Sequence, residues 1–174
     1  PYFSDADGRR DPAMFTLECS RPALGPYTVM ASLNGIGLTG WQLLVARSLE
    51  LSHMLKQRLE QMDHCKVLNL QTNGPGVLWW VLPKGRNAKE IHRQLLDGKL
   101  SCSQFAHYGA EIRRLYELRE RSMDPAQDAR LSFTTSIGHI PHGVTIPAWK
   151  AVFFNPKTDE AVIERLIRGI EDLL

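Results

Sequence analysis

From Gly40 onward, Trp41, Leu44, Val45, Ser48, Leu51, Leu55, Leu59 and Met62 recur at steps of three and four. That spacing places them on one side of a single long helix. Glu50, Lys56, Arg58 and Glu60 lie off the stripe, so the opposite side is expected to be wet. A stripe of this length must be buried against other elements, which constrains everything that follows it.

Lys66 to Gln71 and Val77 to Leu82 are short β-type runs. The turn formers Thr72-Asn73-Gly74-Pro75-Gly76 between them predict a hairpin. Alternation sends Trp79 and Trp80 to opposite faces, one into the core and the other under a helix or an interface. Asn87 is placed to cap a helix reaching Asp97, and Ser103 to cap a longer one reaching about Met123. Arg130 to Ile137 and Trp149 to Phe154 read as strands around a loop punctuated by Gly138, Pro141, Gly143 and Pro147. Thr158 or Asp159 starts a closing helix whose stripe is Val162, Ile163, Leu166, Ile167, Ile170, Leu173 and Leu174. Upstream, residues 1 to 13 read as an exposed loop, Met14 to Cys19 as a short strand, and Pro22 to Asn34 as a helix. The order predicts a compact α+β domain with a mostly antiparallel sheet.

Composition bounds the class. At 174 residues the chain holds one ordinary domain, or one domain and part of another. The 43% apolar and 23% charged content is that of a globular protein, and no 18-residue apolar run suggests a membrane span. A net charge of +2, with the basic residues scattered, gives no nucleic-acid stripe. Arg113, Arg114, Arg119 and Arg121 are interleaved with Glu111, Glu117 and Glu120 and read as a solvated helix face. Cys19, Cys65 and Cys102 are too widely spaced for a metal site and odd in number, which fits a reducing cytoplasm. The chain starts at Pro1 with no charged-then-apolar leader, and is expected to be a fragment without a signal peptide.

Gly35-Ile36-Gly37-Leu38-Thr39-Gly40 satisfies the letter of a dinucleotide fingerprint, yet a helical segment precedes it where a parallel strand is required. A helix-to-helix connection that uses glycine for positive φ is the better reading. His139, His142 and His107 lack the further ligands that zinc needs, and are read as loop histidines near a strand end. No Ser, His and Asp set surrounds a nucleophile elbow. The residues by themselves name no chemistry.

Three stretches carry a resemblance. They are Phe15-Thr16-Leu17-Glu18-Cys19-Ser20-Arg21 followed by a helix with Gly35 and Gly40, then Val77-Leu78-Trp79-Trp80-Val81-Leu82-Pro83, then Trp149-Lys150-Ala151-Val152-Phe153-Phe154-Asn155-Pro156 with Thr158 and the closing helix. In this order the chain resembles the C-terminal portion of group II pyridoxal-phosphate-dependent amino-acid decarboxylases, the glutamate, aspartate and aromatic amino-acid kind. The resemblance implies the aspartate-aminotransferase-like fold, with residues 1–40 as the tail of the large cofactor-binding domain and 41–174 as the small C-terminal domain. It also implies a carboxy-lyase that uses pyridoxal 5′-phosphate, is completed by the large-domain portion of its parent, and works as a homodimer on a small amino acid. Tyr2 matches the mobile-loop tyrosine that acts as proton donor, although by its residues alone it is an exposed loop side chain. Ser20 matches a position near the cofactor phosphate. Arg21 matches an interface position, with capping of the next helix as its competitor.

Lys150 stands where many relatives carry arginine facing the substrate carboxylate, which suits aspartate or glutamate. Lysine offers a point charge in place of a two-pronged fork, and a surface-facing lysine is the alternative. The family's cofactor-holding lysine directly follows a histidine, and none of the seven lysines here does. The isolated chain is therefore expected to be inactive. The rival readings are an aminotransferase or other lyase of the same fold, and a cofactor-free dimerisation or binding domain.

Overall fold

The computed structural model describes residues 24–124, 131–134 and 147–174. The chain divides into two units, Pro1–Leu43 and Leu44–Leu174. Helix α1 (Leu24–Glu60) has residues in both. Its helical geometry fails at Gly37, where φ is 68° and ψ is 170°, a backbone region essentially restricted to glycine. The two helices expected on either side of the glycine run are both present and meet at this break. The expected glycine at positive φ is Gly37.

From residue 27 to residue 50 of α1 no side chain is buried. Tyr27, Met30, Leu38 and Leu43 are each more than 60% exposed, and no Asp, Glu, Lys or Arg lies between Arg21 and Arg47. An 18-residue window here reaches a mean hydropathy of 1.3, enough by length and composition to cross a membrane. This corrects the expectation that no such run exists. Polar but uncharged residues such as Thr28, Asn34 and Gln42 interrupt each short apolar run while leaving the average high.

In the second unit the helical stripe closes on a core. Leu51, Leu55, Leu59 and Met62 are buried as their spacing requires, whereas Val45 is 50% exposed. Lys56, expected on the wet side, is only 3% exposed. Strands β1 (Cys65–Val67) and β2 (Gly76–Val81) form the expected hairpin. β1 is shorter than its sequence suggested because the Asn69 side chain takes over the pairing: Nδ2 donates to the Gly76 carbonyl and Oδ1 accepts from the Leu78 N–H, each at 2.9 Å.

Helix α2 (Ala88–Leu96) starts at Asn87, whose side chain accepts from the Glu90 N–H. Helix α3 (Cys102–Ser122) starts at Ser101, not at Ser103. Ser101 wins because Gln104, three residues on, bonds back to its N–H and completes a capping box. Strands β3 (Ser132–Thr134) and β4 (Ala148–Val152) pair with each other, and the closing helix α4 (Glu160–Asp172) is capped by Asp159. The sheet order is β1-β2-β4-β3, antiparallel throughout.

One sheet face carries Val67, Val77, Trp79, Trp149 and Ala151, all buried with Ile112 and Leu115 of α3 and Ile163, Leu166, Ile167 and Ile170 of α4. The Trp149 indole N–H donates to the Ile112 carbonyl at 3.1 Å, and its ring lies 6.1 Å from that of Trp79. Trp80 points the other way and meets His92 of α2 edge-on at 5.5 Å. Arg47 and Arg58 of α1 pair with Glu160 and Glu164 of α4 at 2.6 and 2.7 Å. The Arg47 guanidinium also holds the Glu160 carboxyl below the usual carboxylate range.

Candidate functional site

Of the four residues singled out by resemblance, Tyr2, Ser20 and Arg21 lie outside the described residues. Lys150 lies at the centre of β4, opposite Leu78 of β2 and Ser132 of β3. Its neighbours Trp149 and Ala151 are buried on the helix-covered face, so strand alternation puts Lys150 on the other face. There it is half-buried, beside an exposed Ser132 and Val152. Among the described residues no carboxylate pairs with its ammonium. A lone cation on a half-open sheet face can attract an anionic group brought by a ligand or by another part of a larger protein.

His139 and His142 lie outside the described residues. His107 sits 3.5 Å from Glu111 on α3, and no group of three metal-ligating side chains occurs among the described residues. Burial pushes the Cys65 thiol up, which makes it an inert core side chain.

Two buried charges were not legible as such. Arg119 was expected on a solvated face but is 5% exposed, with its guanidinium on Glu120 at 2.8 Å. The signal was available: Arg119 follows Ile112 and Leu115 at steps of three and four, on the apolar row of α3. With Arg165, Arg168 and Asp172 it lines a cavity of about 380 Å³ between the end of α3 and α4. Lys56 likewise follows Ser52 by four residues in a row beside the main stripe, and both are buried.

No family model matches the chain, and no curated protein matches it. Solved structures do. Mouse CSAD in its apo form matches with a TM-score of 0.59 and 14% identity over 83% of this chain. A second structure of mouse CSAD gives 0.56 and 16% over 81%, and Oryza sativa TDC with PLP and tryptamine gives 0.56 and 10% over 81%. The chain spans about a quarter of the length of these proteins: 26%, 26% and 24%. Likeness at such identities establishes the fold alone, a mixed helix and antiparallel four-stranded arrangement that these proteins hold as part of a longer chain.

The described residues do not by themselves make a cofactor site. Lys150 is the only predicted site residue among them, and the buried side-chain groups left without a partner are spread over α1, the turn that follows it, β2 and α3.

Proposed function

We propose that this chain is the C-terminal portion of a pyridoxal-phosphate-dependent amino-acid decarboxylase, and that it completes an active site whose cofactor lysine lies in a preceding large domain. The observation that carries the reading is the fold match over four fifths of this chain to about a quarter of each of those proteins. The three ordered sequence stretches agree with it. So does the uncharged, unburied segment of α1, since so much exposed apolar surface on one helix is ordinarily covered by a larger protein or a membrane. The glycine break at Gly37 favours the protein interior, because freed backbone groups in lipid need polar partners.

In this reading residues 1–40 are the tail of the large domain and 41–174 the small domain of a cytoplasmic homodimer. The cofactor supplies an electron sink for loss of carbon dioxide. Tyr2 would donate the proton that replaces the carboxyl group, Ser20 would help hold the cofactor phosphate, and Arg21 would serve the subunit interface. Lys150 faces the side-chain carboxylate of an acidic amino acid, aspartate or glutamate.

The substrate assignment is tested by steady-state kinetics of the parent enzyme carrying Lys150→Met. The substitution keeps the aliphatic stem and removes the charge. KM for aspartate or glutamate is expected to rise about tenfold, equivalent to about 1.4 kcal/mol of lost binding, with a smaller change in kcat. An unchanged KM rejects the role of Lys150, and turnover of aromatic amino acids alone rejects the acidic substrate.

A further inference from the structure

Lys56 is a buried charge, only 3% exposed. Its Nζ donates to the carbonyls of Asn69 at 2.9 Å and Thr72 at 2.6 Å, and among the described residues no carboxylate pairs with it. Burial lowers its pKa, with no acidic neighbour acting in the other direction. An ammonium has three N–H donors and no acceptor. Two of them are taken by neutral carbonyls, and the third is left for whatever lies beside it. A cation removed from water without a counter-charge is destabilising.

What lies beside it is a cavity of about 310 Å³ between α1 and the β1–β2 connection. Ser52, His53, Lys56 and Thr72 contribute polar groups to its lining, and Leu49 and Leu70 apolar ones. Ser52 is held in place by the backbone around it. Ser52 is 3% exposed, and its Oγ lies 2.9 Å from both the Leu49 and the Gly74 carbonyls. Glu50 also borders the cavity, held by Arg47 at 3.5 Å, and its charge disfavours a polyanion. Leu70, at 42% exposure, presents apolar surface to solvent at this cavity.

We propose that this cavity binds a small monocarboxylate with a short apolar chain, the carboxylate pairing with Lys56 and the chain resting on Leu49 and Leu70. The site uses none of the residues assigned to the decarboxylation reaction, and it stands or falls independently of that assignment.

The test is an amide chemical-shift titration of the full chain with butyrate, and in parallel with inorganic phosphate at matched ionic strength. Saturable shifts confined to residues 49–56 and 70–74, with a Kd of about 1 mM, are expected for butyrate and not for phosphate. Lys56→Met should abolish them. Because that variant also frees the Asn69 and Thr72 carbonyls and could unfold, Leu70→Asp serves as a second variant: it keeps the Lys56 bonds, adds a negative charge at the rim, and should weaken butyrate binding about tenfold. Non-saturable shifts, shifts of equal strength with phosphate, or undiminished binding by folded Lys56→Met or Leu70→Asp would overturn the proposal.

Discussion

His92 and His64 show how single residues tie this domain to pH. Burial is the main cause that lowers the pKa of each. Lys66 adds to it at His92 against an opposing Glu60, while Glu171 and Asp63 oppose it at His64. A histidine with a lowered folded pKa binds fewer protons in the native state than in the unfolded chain. Its stabilising effect is therefore full above the ordinary value of about 6.5 and is lost as pH falls through that value toward the folded one. The urea midpoint of the chain is expected to drop between about pH 7.5 and pH 5.5. His92→Phe, which keeps a ring against Trp80, should shrink that drop, and an equal drop in both proteins contradicts the assignment. At this scale the sequence was only partly legible. Trp79 and Trp80 followed from period-two alternation, but Lys56 and Arg119 did not, because charge was weighed without its position beside an apolar row.

The elements are set by their ends as much as by their faces. Asn87 was readable as a cap because it is a strong cap residue just before an apolar periodic run, and of the two candidates Thr158 and Asp159 for the start of the closing helix Asp159 is the cap. Ser101 was missed in favour of Ser103, since the deciding contact is Gln104 reaching back to the cap N–H. β1 was overextended because the turn was judged by its glycines and proline, while the Asn69 side chain ends the strand earlier. Removing a cap side chain costs a helix about 1 kcal/mol. Asn87→Ala and Ser101→Ala are each expected to lower the unfolding free energy by about that amount in urea denaturation. A change under about 0.3 kcal/mol for either would mean that its cap bond is not held in solution.

At the scale of the whole molecule, two surfaces are open among the described residues: the uncharged stretch of α1, and the part of the second sheet face around Lys150, Ser132 and Val152. The second-unit core was legible from periodicity, as Leu51, Leu55, Leu59, Ile163, Leu166 and Ile170 show. The exposed apolar half of α1 was not, since a stripe tells which side packs but not whether the partner lies in the same stretch of chain. Trp41 and Val45 continue the stripe, yet both are more than a third exposed. In the proposed parent enzyme these surfaces meet the large domain, and the chemistry needs both parts. The measurement closest to that claim mixes this chain with the separately expressed portion of the parent that precedes it, in the presence of pyridoxal 5′-phosphate and aspartate or glutamate. Neither part alone should release carbon dioxide, and the mixture should show pyridoxal absorbance and equal yields of carbon dioxide and amine. A keto acid in place of the amine, or a complex of both parts with no cofactor absorbance and no carbon dioxide from any amino acid, would contradict the account.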